Sequence, residues 1–190
     1  MIPATGAAAG ERTTSVTVEY SLADAEHLPY VKYSLVDVHT EAGASDAEHF
    51  EARLQAAAAE PGWTTAIGYE AGRAVGYCHG FSLPADTDWW SNVIVPLPEY
   101  VTRESGQRTA VLSEIVVRKP WRGTGVAAQL HDIWLSLRPE ERVTLLVDST
   151  VGGGALQTVC EKWGYRSVAN HRAPGDPTVY TAMIRPVHRP

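Results

Sequence analysis

The sequence predicts one mixed α/β domain, and three observations lead there. The apolar run 112–117 reads as a buried strand that breaks at Pro120. It passes through Arg122, Gly123, Thr124 and Gly125 into a helical pattern at Val126, Leu130, Ile133 and Leu137. A second apolar strand, 142–147, follows it. Upstream, 63–69 and 74–81 are strand-like runs around Glu70, Ala71, Gly72 and Arg73, which is a hairpin signal. With 190 residues, 44% hydrophobic and 20% charged, the chain supports one layered core of ordinary size.

Taken in order, residues 1–15 are rich in Ala, Gly and Thr and have neither a basic start nor an apolar centre. They are expected to be a disordered leader, not a secretory signal, with a single domain over 16–187. In 16–22 the side chains of Val16, Val18, Tyr20 and Leu22 alternate as in an edge strand. Asp24 is placed to cap a helix whose apolar positions are Leu28, Val31, Leu35 and Val38. Ser45, with Glu48 three residues on, forms a capping-box pattern that opens a helix over 46–59, and Pro61 and Gly62 end it. After the hairpin, 83–108 carries three prolines, Asp86, Asp88, Trp89, Trp90 and a polar end. It reads as a long irregular insertion, of the kind that is usually functional or disordered. A last helical segment ends at 160–165, and 165–169 and 178–184 close the sheet.

A strand feeding a glycine loop that opens a helix is an anion site. The first helical N–H groups lack intrahelical partners, the helix dipole places partial positive charge there, and glycine lets a phosphate approach the backbone. Arg122-x-x-Gly125-x-Ala127 resembles the (Arg/Gln)-x-x-Gly-x-(Gly/Ala) signature with which the GCN5-related N-acetyltransferases (GNAT) cradle the pyrophosphate of acetyl-CoA. Val117 and Trp121 match its flanks, and Cys160, Lys162, Gly164 and Tyr165 resemble the Tyr-x-Lys-x-Gly-Phe that ends the family's helix after the fifth strand. The similarity extends over 109–185; over 16–81 only the order of elements is shared.

The resemblance implies a GNAT fold: one twisted mixed sheet of about seven strands, flanked by helices on both faces, with the fourth and fifth strands splayed around the pantetheine arm. It implies acetyl-CoA as co-substrate, without metal, and transfer to a primary amine of a small molecule by direct attack in a ternary complex. A protein or peptide amine as acceptor is a second option, and a non-catalytic acyl-CoA-binding protein a third. It places the cofactor on the backbone of Val116 and Val117 and on Arg122, Gly123, Thr124, Gly125, Val126 and Ala127. Glu114, a charge in an apolar strand, is the candidate general base, since burial would raise its pKa. The alternative is a carboxylate at the strand's wet end, or one paired with Arg108 or Arg118. Cys160 stands where the family commonly has a tyrosine that protonates the leaving thiolate; it is either that acid or core filling. A covalent acyl-cysteine finds no His or Asp at motif spacing, although His131 and His171 could approach in space.

For the acceptor, Asp86, Asp88, Trp89 and Trp90 offer carboxylates and indole faces suited to a cation, or else the tryptophans pin the insertion. Tyr30 and Tyr33, at i and i+3, can share a helix face near His27 and His39 in the segment that often lines the family's acceptor cleft. Gly152, Gly153 and Gly154 are expected to form a loop near the thioester, since each costs roughly 1 kcal/mol inside a helix. Two cysteines, Cys78 and Cys160, give no disulfide framework and fit a reducing cytoplasm. A net charge of −6 argues against nucleic acid and mildly favours a cationic substrate. No apolar stretch is long enough for a membrane span. A monomer or homodimer is expected. A dinucleotide-binding domain is disfavoured, because no Gly-x-Gly-x-x-Gly follows the first strand.

Overall fold

The computed structural model describes residues 17–43, 47–148, 150, 154–172, 175 and 177–188. Seven strands form one sheet: β1 (Glu19–Asp24), β2 (Thr64–Glu70), β3 (Arg73–Ser82), β4 (Thr109–Val117), β5 (Arg142–Asp148), β6 (Arg166–His171) and β7 (Tyr180–Pro186). Five helices accompany them: α1 (Leu28–Glu41), α2 (Ala47–Ala58), the short α3 (Glu99–Thr102), α4 (Val126–Ser136) and α5 (Ala155–Lys162). The strand order is β1-β2-β3-β4-β5-β7-β6. β4–β5 is the parallel pair and the other neighbours are antiparallel, so the sheet is mixed as expected.

The helices cover both faces. On one, Val126, Leu130 and Trp134 of α4 and Cys160 of α5 pack with Val75, Cys78, Leu112, Val117, Leu145 and Val147. On the other, Leu28, Leu35 and Val38 of α1 and Phe50 and Leu54 of α2 pack with Ile67, Ala74 and Tyr77. Strand alternation assigns the rest. Val143, Leu145 and Val147 face α4 and α5, so Arg142, Leu146 and Asp148 point to the opposite face. There Trp90 lies 5.6 Å from the Arg142 guanidinium and Trp89 lies 6.2 Å from the His171 ring. The insertion therefore crosses β5, β7 and β6 on the face that α1 and α2 cover over β2, β3 and β4. Its path is fixed at the outer edge by the Val93–His171 bridge and by the Ile94 N–H donating to the Asn170 carbonyl at 2.8 Å.

The boundaries differ from the sequence reading where capping and pairing decide them. The first strand runs to Asp24, whose carboxylate accepts from the N–H groups of Glu26 and His27. It thus caps a single 3-10 turn, and α1 follows with Pro29 in its first turn. β4 begins at Thr109, because Thr109, Ala110 and Val111 pair with Arg142, Val143 and Thr144. The insertion spans 83–108 but is not wholly irregular, holding a 3-10 turn over Trp89–Asn92 and α3. Ser45 of the capping box, the leader 1–15 and glycines 152 and 153 lie outside the described residues.

Two local features bring the strands close enough to make the site. Ala71 and Gly72 form a two-residue hairpin loop with φ of 48° and 79° at both positions, the left-handed pair that a tight hairpin twist demands. A bulge at His79 and Gly80 shifts the β3–β4 register. A Cβ at Gly80 would lie 1.9 Å from the Val111 carbonyl oxygen and 2.6 Å from Trp134, so only glycine permits that approach.

Candidate active site

β4 and β5 pair over three residues and then part. Past Val111, β4 has lost its β5 partner, so the main-chain groups of 112–117 on that edge are left for another partner. The opening is a cavity of about 150 Å³ lined by Leu112, Ser113, Glu114 and Ile115 of β4, Leu145, Leu146 and Val147 of β5, and Leu156, Cys160 and Trp163 at α5. Both residues predicted to be catalytic, Glu114 and Cys160, meet in it.

At the end of β4 the chain turns through Lys119–Trp121 into the glycine loop. Gly123 and Gly125 have φ of 79° and 93°, and a Cβ built on either finds nothing within 4 Å. Gly125 is the N-cap of α4 and contributes no side-chain cap. The first N–H groups of the helix therefore receive no cap from that side chain, and Val126 is buried and anchors the turn. Two side chains stiffen this cradle from below. The Arg122 Nε donates to the Val117 carbonyl at 3.0 Å and its Nη2 to the Ala42 carbonyl at 3.1 Å, which ties the loop to the ends of β4 and α1. The Thr124 hydroxyl donates to the Trp121 carbonyl at 2.6 Å. Both side chains thus brace the loop, and the space beside Gly123 and Gly125 stays open.

Glu114 stands on the α1/α2 face, with partners and a pKa direction other than those expected. Neither Arg108 nor Arg118 pairs with it. Arg118 is buried and bonded to Asp37, Glu41 and the Ala74 carbonyl, and Arg108 approaches Glu141. The partners of Glu114 are residues that the sequence did not single out for catalysis. Tyr77 donates its hydroxyl to Oε2, and His39 Nδ1 and His79 Nε2 face the same oxygen at 3.6 and 3.8 Å. Burial pushes the carboxyl up, but the donors His79 and Tyr77 outweigh it, and its pKa ends below the ordinary carboxylate value. Glu114 is therefore an ionised carboxylate at neutral pH, not a base tuned upward.

A second layer fixes the donors. The Trp63 indole N–H donates to His79 Nδ1 at 3.4 Å, so His79 carries its ring proton on Nε2, toward Glu114. His39 stacks on Phe50 at 3.8 Å, and its Nδ1 lies 3.1 Å from the Tyr77 oxygen. The signal available in sequence was Tyr77 and His79 alternating on one face of a buried strand. The bulge that sets His79 opposite Glu114 was not readable from the chain.

Cys160 is buried in the cavity wall, and burial, with Glu161 nearby, raises its pKa to about 11. That holds it as a thiol at neutral pH, the form that is the poorer nucleophile. Of the two histidines, His131 is bonded to the Tyr165 hydroxyl at 3.0 Å, and His171 is at the other face, 6.2 Å from the Trp89 ring. Gly154 is the left-handed N-cap of α5.

The expected acceptor residues divide. Trp90 is 6% exposed; its N–H donates to Glu104 at 2.9 Å and its ring lies near Arg142, so it pins the insertion and is not a binding surface. Trp89 is half-buried, and Asp86 and Asp88 are exposed beside it. Tyr30 and Tyr33 are exposed at 84% and 76%, on the outer surface of α1. Among the described residues no group of three His, Cys, Asp or Glu side chains is arranged to hold a metal ion, and no helix is long and apolar enough to cross a membrane.

No protein-family model and no curated protein sequence matches the chain. Solved structures do. An acetyltransferase of the GNAT family from Bacillus cereus superposes with a TM-score of 0.60 at 14% identity, over 91% of this chain and 99% of that one. The aminoglycoside 6'-N-acetyltransferase from Enterococcus faecium gives 0.62 at 15% identity, over 90% and 99%. yncA from Salmonella typhimurium, solved with its cofactor acetyl-CoA, gives 0.57 at 14% identity, over 92% and 96%. With the strand order, the parted β4 and β5 and the glycine loop all in place, the chain has the fold of the GCN5-related N-acetyltransferases.

Proposed function

We propose that the protein is an acetyl-CoA-dependent N-acetyltransferase that acts on a primary amine of a small molecule by direct transfer. The observation that carries this reading is the continuity of three features: the open glycine loop at the start of α4, the unpaired edge of β4, and the cavity holding Glu114. The cradle fits a pyrophosphate, since the space above Gly123 and Gly125 is empty where a side chain would obstruct it. The backbone of 123–127 would receive the phosphates, and the edge groups of Val116 and Val117 the pantetheine arm. Acetyl-CoA supplies an acyl thioester.

The chain's own residues supply the rest. Glu114 offers a carboxylate that binds the acceptor ammonium, orients it, and receives its proton directly or through a water. Leu145, Val147, Cys160 and Trp163 exclude water from the cavity wall. Cys160 serves as protonated wall material, because a thiol with so raised a pKa gives up its proton reluctantly. A small-molecule acceptor agrees with the name of the Enterococcus faecium neighbour and with the acidic charge of this chain. A thermal-shift screen of acyl-CoAs, followed by mass spectrometry of products from an amine panel, tests the reading. Stabilisation by acetyl-CoA with an N-acetylated product is expected; stabilisation without product from any amine would make the protein a binder only.

A further inference from the structure

We propose that Tyr77 and His79, with Trp63 behind His79, are positioning residues that hold Glu114 by its Oε2 and leave Oε1 alone to meet the acceptor ammonium. The inference rests on the acyl-transfer reading above. Its first ground is that, among the described residues, every side-chain contact of the Glu114 carboxylate falls on one oxygen: Tyr77, His39 and His79 all address Oε2. Glu114 also lines the cavity. A carboxylate held by one oxygen from the α1/α2 side keeps the other for the substrate.

The direction of each hydrogen bond supports the same conclusion. Tyr77 has one proton and spends it on Glu114, so its oxygen accepts from His39 Nδ1–H. Trp63 has only a proton to give, so His79 Nδ1 must accept it and Nε2 must carry the hydrogen that points at Glu114. All donations thus run toward Glu114. Trp63, Tyr77, His39 and His79 are each 4% exposed or less, so the donors themselves are shielded from water.

The titratable groups around Glu114 are few. β3 contributes Tyr77 and His79, and α1 contributes His39, while Asp37 and Glu41 of α1 are engaged by Arg118. β5 presents only Leu145, Leu146 and Val147 to the cavity, and α5 presents the Cys160 thiol. His131 of α4 belongs to the opposite face, bonded to Tyr165. The donor set is therefore Tyr77, His79 and His39, and removing one of them changes what Glu114 does at a given pH.

The test is a titration of the Glu114 carboxyl by 13C NMR in glutamate-labelled protein, its resonance assigned by its loss in Glu114→Gln, run beside the pH profile of kcat/KM. Tyr77→Phe removes one donor and no ring, and should move the Glu114 titration up by roughly one pH unit. The acid limb of kcat/KM should move with it. His79→Leu should do the same, and His79→Gln, which can place an N–H where Nε2–H was, should restore the wild-type titration. A Glu114 titration unmoved in both folded variants overturns the proposal, as does a titration that moves while the acid limb stays. Absence of acyl transfer by the wild-type protein would sink the functional reading instead, and the NMR arm would still decide whether these donors hold Glu114.

Discussion

Gly125→Ala separates what the glycine loop does for the protein from what it does for a ligand. Gly125 has φ of 93° and nothing within 4 Å of a built Cβ, so the added methyl meets no protein atom and its cost is conformational. A left-handed alanine costs ~1–2 kcal/mol, partly offset by the ~0.4–1 kcal/mol gained from a less flexible unfolded chain. The net loss of about 1 kcal/mol lowers Tm by roughly 2–4 °C for a chain of this size. Gly72 makes the matched control: its φ is 79° and its surroundings are equally empty, but it belongs to the β2–β3 hairpin and not to the loop. Gly72→Ala should cost a similar amount of stability and leave CoA affinity unchanged. At Gly125 the methyl enters the space where a phosphate must approach, and losing one charge-assisted hydrogen bond is worth ~1.5–3 kcal/mol. CoA binding should therefore weaken by about tenfold or more in isothermal calorimetry. Equal CoA affinity in the two variants, with equal loss of Tm, would refute the loop as the phosphate cradle.

Cys160→Ala should keep most of kcat and lose ~1 kcal/mol of stability from a small cavity; a folded variant whose kcat falls by more than about a hundredfold would make Cys160 a participant. Glu114 has a folded-state pKa below its unfolded one, so its contribution to stability is present above the unfolded value of about 4.3 and fades as pH falls through the folded value. Chemical denaturation of wild type against Glu114→Gln from neutral pH downward should show the difference shrinking only in that acid range, and a difference that stays constant there would contradict it. Trp90→Ala should destabilise by ~3 kcal/mol through loss of a buried ring and its bond to Glu104. Trp89→Ala should instead act on acceptor KM, and equal Tm losses for the two would undo that division. Ala71→Asn should raise stability by ~0.5–1 kcal/mol, because asparagine tolerates the left-handed φ of 48° that alanine resists; no rise in Tm would leave the loop unstrained.

The parts legible in sequence were those that local chemistry decides. The strand, glycine loop and α4 follow from an apolar run, two glycines and a 3–4 spacing, and the hairpin from a two-residue turn. The order of seven strands came with the resemblance. What stayed hidden depends on contacts distant in the chain. A charge at position 114 reads as a buried base until Tyr77, His79 and His39 arrive from β3 and α1 and hold it ionised. Their arrival depends on a bulge at His79 and Gly80, which no period reveals. Adjacent tryptophans in the insertion look alike in sequence, yet the path of the loop turns Trp90 onto Arg142 and Trp89 onto His171. Arg122 reads as a phosphate ligand, and its further bonds to carbonyls at the ends of β4 and α1 are not legible in the chain.

Initial-rate kinetics with acetyl-CoA and a productive amine both varied, following release of the CoA thiol, test direct transfer at this site most directly. Intersecting double-reciprocal lines are predicted, with no acetyl label on Cys160 when acetyl-CoA is supplied alone, because the thiol is protonated at neutral pH and Glu114 faces the same cavity. Parallel lines together with an acetylated Cys160 would contradict direct attack and place the transfer on the protein.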